Sequence, residues 1–399
     1  MESMDFRADE LSCAMCEAAA AESGTAPAPQ AEELSITCLE NQVPPYVASE
    51  LARLYGHIFS SLAQLRAYGE LDAHTSTYIV RRGRKIVTLL LYRRDGSVVR
   101  VLNQSIPVGG EDMQRFAATM FSTYRSVRRI AFHAVQADAT GPGFPHQRYN
   151  CADDIVIDLP ATQQAYLASL GKNTRRNIRR YMERLQRAYP SFHIDFRECA
   201  DAGEDQVRTI IGFNHARMAG KNKTSSLDAL EAQRIVQLTR ECGLLGVASI
   251  DGRPCAGGIA YRVGDNFFLY VIAHDPAYDD YWVGILTCYL MIGECIARGG
   301  KAFHFLWGRY DYKFSLGAVL RTLDHVDLYR SRASYLRNSP AIAQTALRRE
   351  AFQLKFALLD MARRKDSTAA RFVSRQVERL RRAKRQADGL LQARSRSGR

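Results

Sequence analysis

No stretch of this 399-residue chain approaches the run of about 18 apolar residues that a membrane-spanning helix requires. A basic segment followed by an apolar one is also missing from the start, so no secretory signal is expected. The nine cysteines are odd in number and scattered, which excludes a small disulfide-stapled fold. Cys255, Cys288 and Cys295 fall inside expected strands or helices and read as reduced, buried thiols of a cytoplasmic protein. Cys13 and Cys16 have CxxC spacing, but no second ligand pair and no thioredoxin-like pattern lies nearby, so no metal is expected.

What is present suffices for two domains with hydrophobic cores: the length, and a hydrophobic fraction of 46%. The net charge of +13 is unevenly spread. Residues 1–35 carry eight acids against the single cation Arg7, while residues 363–399 carry 13 Lys and Arg against three acids. The first segment, rich in Ala, Glu and Pro, reads as a disordered leader. Residues 336–399 read as a basic helical tail. Its end, 363–399, suits an anionic membrane surface or a polyanion; no recognised DNA- or RNA-binding motif accompanies it, so no specific nucleic acid is expected. The expected location is cytoplasmic, with the tail allowing peripheral contact at the inner membrane surface.

Between the tails one grammar occurs twice. After a helical pattern from Val47 to Leu65, residues 77–81, 85–93 and 97–104 read as strands turning at Gly83 and at Asp95-Gly96. Gly109-Gly110 then introduces a helix over 111–124, and a strand over 129–135 closes the unit. Later, strands over 244–250, 253–262 and 266–273 turn at Asp251-Gly252 and Gly264, a helix covers 282–298, and 302–307 is the next strand. The parallel order predicts an internal duplication. The boundaries expected are a first unit over 36–153 and a second over 154–335, which opens with a strand over 154–159 and one long helix over 162–189. A cap at Ser225 or Ser226 is expected for the helix over 227–242.

The strand over 267–273 is almost continuously apolar, as a central strand covered on both faces would be. It leaves the sheet at His274-Asp275-Pro276, and Gly284 sits in the first turn of the next helix. A glycine there admits a ligand close to the backbone, and free N–H groups at a helix start attract phosphate. On the helix over 162–189, Lys172, Arg175, Arg176, Arg179, Arg180, Arg184 and Arg187 share one half of the circumference with only Glu183 among them. Such a face is either solvated or answered by an anionic ligand.

Several runs carry a resemblance: Ser169 to Arg180 (SLGKNTRRNIRR), Asp251-Gly252-Arg253, Gly284, and Gly308 to Gly317 (GRYDYKFSLG). With them the chain resembles the GNAT acyltransferase superfamily, in its CelD-like branch linked to cellulose and exopolysaccharide synthesis, which is related to the Fem aminoacyl-ligases. The resemblance implies an α/β (α+β) fold of tandem GNAT-like units, each a mixed, mostly antiparallel sheet flanked by helices, the first degenerate. It implies acetyl-CoA or another acyl-CoA as co-substrate. The backbone of Tyr270, Val271, Ile272 and Ala273 would pair with the pantetheine arm, and the amides of Trp282, Val283, Gly284, Ile285 and Leu286 would hold the pyrophosphate. Aligned on Gly284, the superfamily's phosphate loop has Tyr281 in place of its Gln or Arg and Leu286 in place of its last small residue, which leaves the amides as the main donors.

Lys313, matching a lysine of the Fem relatives, is expected to stabilise the tetrahedral oxygen, and Tyr312 to protonate the departing thiolate. His274, Asp311 and His304 are candidates for taking the amine proton. Arg176, Arg180, Trp307 and Arg309 are expected at the substrate. The implied activity is acyl transfer to an amine of a small polar or sugar acceptor by direct attack. The alternatives are an aminoacyl-tRNA-dependent ligase and a non-catalytic accessory protein of exopolysaccharide synthesis.

Overall fold

The Asp-Gly and Gly turns fold the chain into two meanders. A computed structural model describes residues 33–338 and Pro340. The first half runs β1 (Leu34–Leu39), α1 (Val47–Leu54), α2 (Leu62–Ala67), β2 (Ser76–Arg82), β3 (Lys85–Asp95), β4 (Val98–Val101), β5 (Pro107–Val108), α3 (Gly110–Thr123), β6 (Arg129–Ala137) and β7 (His146–Asp158). The second runs α4 (Gln163–Ser169), α5 (Lys172–Ala188), β8 (His193–Glu198), α6 (Glu204–Ala219), α7 (Ala229–Cys242), β9 (Gly243–Ile250), β10 (Arg253–Val263) and β11 (Asn266–His274). It ends with α8 (Val283–Ala297), β12 (Ala302–His304), α9 (Asp311–Ser315), β13 (Val319–Tyr329) and α10 (Arg332–Arg337).

The strands form one sheet in the order β1-β2-β3-β4-β6-β13-β7-β12-β11-β10-β9-β8, with β5 beside β6. Read from either edge, the order is the same: three antiparallel pairings, then a parallel pairing across a helix, then an antiparallel one. The parallel pairs are β4 with β6 around α3 and β11 with β12 around α8. β7 follows β6 in the chain yet pairs with β12, and β13 pairs with β6. The two halves thus exchange their final strands, and β7 and β13 zip them together from Val319↔Val156 to Leu328↔His146. The expected unit boundary at 153/154 falls inside β7.

Each half is covered on both faces. In the second half, α4, α5 and α8 pack one face around Phe267, Phe303, Met291 and Leu286; α6 and α7 pack the other around Ile210, Ile235, Phe268 and Tyr261. α3 covers one face of the first half through Phe116 and Met120, and α1 and α2 cover the other through Leu51 and Leu65.

Three local expectations are corrected. The helix over 162–189 is two helices, because Leu170 takes an extended backbone with its side chain buried and α5 restarts after Gly171. The helical pattern from Val47 to Leu65 is likewise broken, at Gly56, whose φ of +52° favours glycine and where a Cβ would lie 2.9 Å from Nδ2 of Asn266. α7 is capped by Asp228, which accepts from the Glu231 amide at 2.8 Å; Ser225 bonds Asn214 instead. Among the described residues no helix is long and apolar enough to cross a membrane. Apart from residues 33–35 of the leader and 336–338 and 340 of the tail, both expected tails, with Cys13 and Cys16, lie outside the described residues.

Candidate active site

The site begins where two parallel strands part. β11 and β12 pair only from Asn266↔Ala302 to Phe268↔His304, after which Phe305 turns to bond the Ile155 carbonyl at 2.7 Å. From Leu269 onward β11 keeps β10 on one side and presents an open edge on the other. The register with β10 also slips there: Ala260 faces Leu269 but Ile259 faces Val271, so Tyr270 is a bulge residue. The gap holds a cavity of about 420 Å³ walled by β11, the segment after β12, α9, α6 and the start of α7. Tyr68, from the first half, completes it.

Lys313 lies in this cavity and is only 4% exposed. Its Nζ donates to the carbonyls of Phe305 (2.9 Å) and Trp307 (2.5 Å), leaving one of three donors for a ligand. Burial lowers its pKa to about 8, against the smaller raising effects of Cys288 and Asp154. Tyr312 is beside it, stacked on Tyr310, and burial pushes its hydroxyl well above the ordinary phenol value. Trp307 is 55% exposed at the mouth and stacks on Phe59 of the first half at 5.0 Å.

A cluster that the residue pattern did not single out lies on another wall. The hydroxyls of Tyr68 and Tyr270 are 2.7 Å apart and both reach the same oxygen of Glu231, Tyr68 at 2.5 Å. Arg234 pairs with the other oxygen at 3.4 Å and lies over the Tyr68 ring. Burial, with the neighbouring carboxylate, raises both phenols, Tyr68 to about 12. Glu231 is the third residue after the Asp228 cap, so in sequence it reads as half of a helix start. The fold makes it the only carboxylate side chain among the residues walling the cavity.

The start of α8 differs from the expectation for a phosphate cradle. The Trp282, Ile285 and Leu286 amides are committed to the carbonyls of Asp279 and Trp282, so Val283 and Gly284 are the two of the five with no described acceptor. The Gly284 side is filled by protein: a Cβ there would lie 2.6 Å from Nδ1 of His274. His274 itself is held by Asp279 at 2.6 Å and does not line the cavity. Trp282, in the left-handed region, stacks on Tyr181 of α5 at 5.1 Å. Arg180 and Arg184 lie over Tyr181 and Tyr281, so two cations of α5 flank this helix start.

The other named residues are dispersed. Val271 and Ile272 line the cavity, whereas Ala273 is buried behind it. Arg176 is exposed on α5 beside a separate depression. Arg309 makes a two-pronged bond to Asp153, at 2.8 and 3.1 Å, and lies outside the cavity wall; Asp311 is exposed at the start of α9. His304 is buried and donates from Nδ1 to Asp154 at 2.8 Å, with His57 of the first half 3.9 Å from the same oxygen. Burial lowers the His57 pKa to about 3, with His304 adding to the effect. These three side chains are close enough to suggest a metal site. However, His57 Nδ1 accepts the Phe59 amide, which puts the ring proton on Nε2, the atom that would have to ligate. Of the three, only His304 and Asp154 are hydrogen-bonded to one another; His57 Nε2 and Asp154 Oδ1 are buried with no hydrogen-bond partner among the described residues.

Residues 172–314 match the family described as Acetyltransferase (GNAT) domain. The matched stretch runs from the start of α5 into α9 and carries the open edge, Glu231 and Lys313. The whole fold is similar to the crystal structure of FemX, with a TM-score of 0.55 at 10% identity over 76% of this chain and 99% of that one. A conserved protein of unknown function from Bacteroides thetaiotaomicron VPI-5482 aligns with a TM-score of 0.48 at 10% identity, over 72% and 98% of the two chains. No curated protein matches the sequence.

Proposed function

We propose that the GNAT domain transfers an acyl group from acyl-CoA to the amine of a small polar or sugar acceptor bound in the cavity. The observation that carries this reading is one cavity, on an open strand edge, with a buried lysine and a tyrosine-bound carboxylate among its walls. The amine nitrogen attacks the thioester carbonyl carbon as the C–N bond forms, and the negative charge moves to the carbonyl oxygen beside Lys313. The C–S bond then breaks, and the departing thiolate takes a proton from Tyr312 or Lys313. The surplus amine proton passes through Tyr68 or Tyr270 to Glu231, replacing His274 and Asp311 in that role. The open edge of β11 suits the amides of a pantetheine arm. Arg180 and Arg184 supply the cations that the Tyr281 position lacks.

A second reading, transfer from aminoacyl-tRNA, is favoured by the three committed amides of α8 and by the seven cations of α5, none of which pairs with a described acid. Thermal melting separates the two. A carrier at a hundred times its dissociation constant adds roughly 2.7 kcal/mol to stability. The expected result is an upward shift with acetyl-CoA or a longer acyl-CoA. A shift with aminoacyl-tRNA alone selects the second reading, and no shift with either removes both.

A further inference from the structure

Three charged side chains line the cavity, and two of them are answered from within the protein. Glu231 accepts from two phenols and pairs with Arg234; Lys313 donates to two carbonyls. The third is Arg217, in the last turn of α6. It has no hydrogen-bond or ion-pair partner among the described residues, and its Nε is wholly buried. A guanidinium N–H taken out of water without an acceptor is costly, and the cost is removed when a ligand brings the acceptor. Asn214, three residues earlier on α6, lines the same cavity; its Oδ1 is taken by Ser225 at 2.8 Å, which leaves its amide hydrogens as further donors.

We propose that Arg217 holds an acidic group of the acceptor, so that the acceptor is an amine carrying its own oxyanion, such as an amino acid or an acidic amino sugar. This rests on the acyl-transfer reading for the amine end and goes beyond it for the other. The cavity then has two poles: a carboxylate with two phenols for the ammonium, and a planar cation for the acid. A guanidinium grips a carboxylate or a phosphate oxygen pair through two parallel bonds, which an ammonium cannot do. About 420 Å³ is room for a monosaccharide or amino acid rather than a polymer.

Isothermal titration of the full chain without any acyl donor tests this, using glucosamine, muramic acid, glucosamine 6-phosphate and a panel of free amino acids. At least one acidic amine is expected to bind tenfold or more tighter than glucosamine, and the carboxylate and phosphate arms tell which oxyanion the site takes. Arg217→Gln should abolish that difference, Arg217→Lys should keep part of it, and Lys313→Ala should leave it intact while slowing transfer. Each variant is first checked for a single cooperative melting transition. Acid preference surviving in Arg217→Gln, glucosamine binding as tightly as the acidic amines, or no binding by any of them would overturn the proposal. Acid-selective binding with no transfer from any acyl donor would instead sink the acyl-transfer reading and leave the oxyanion site standing.

Discussion

The two halves have the same strand order, yet the gap between their parallel strands is filled in one and open in the other. In the first half the chain after β4 turns back into the gap. Asn103, wholly buried, accepts the Leu91 amide at 2.6 Å; Ser105 bonds the Ala134 carbonyl at 2.6 Å; Gln136 bonds Ile106 at 2.8 Å. The start of α3 is also filled, since Gly110 donates to Asp138 at 3.1 Å and a Cβ on Gly110 would strike the Thr140 carbonyl. In the second half the corresponding edge of β11 stays unpaired and a cavity takes its place. A duplicated sheet therefore supplies the position for a site twice, and the segment that follows the central strand decides whether it is used. The first half instead lends Tyr68, Phe59 and His57 to the second.

The largest effect expected from this division comes from Lys313. Lys313→Ala should lower turnover about 10²- to 10³-fold with little change in acceptor affinity, as loss of a single oxyanion donor does elsewhere. Glu231→Gln should cost about 10²-fold in turnover, and Tyr68→Phe less, because Tyr270 still reaches the carboxylate. Steady-state kinetics check both; full activity in Glu231→Gln would remove the assigned base.

The pH dependence sharpens the contrast further. Lys313 ionises near 8, below its ordinary 10.5, because it is buried. Its cation is present below that pH, so a step using the cation slows as pH rises through about 8. Stability moves the other way: between about 8 and 10.5 the folded chain has released this proton and the unfolded chain has not, so this group makes the fold more stable as pH rises. Lys313→Met should remove both trends in rate profiles and melting curves.

Smaller effects are expected where the first half is plugged. Asn103→Ala leaves the Leu91 amide buried without an acceptor and should destabilise by about 1–3 kcal/mol in denaturant titrations, without altering the acceptor dependence of turnover. Gly284→Ala forces His274 off the start of α8 and should cost about 1–3 kcal/mol in the same measurement.

Much of this was legible along the chain. The Asp-Gly and Gly turns between β-rich runs predicted both meanders, because that signal is local; Lys313 was singled out by the resemblance that the Gly308–Gly317 run carries. The break at Leu170 and the strand exchange of β7 and β13 were not legible, since each depends on what a residue packs against across the sheet; the Asp228 cap is a local pattern that the Ser225 or Ser226 expectation passed over. His274 shows the limit clearly. Its position at a strand end suggested chemistry; only the fold shows that it bonds Asp279 and lies against Gly284.

Sequence alone determined the element types, the repeat and the charged faces, because propensity, periodicity and turn chemistry act between near neighbours. Tertiary structure alone decided which repeat stays open, and that Tyr68, Glu231, Tyr270, Arg217 and Lys313 share one cavity. Those residues are up to 245 positions apart, and only the divergence of β11 from β12, with the packing of α6 and α7 over it, brings them together.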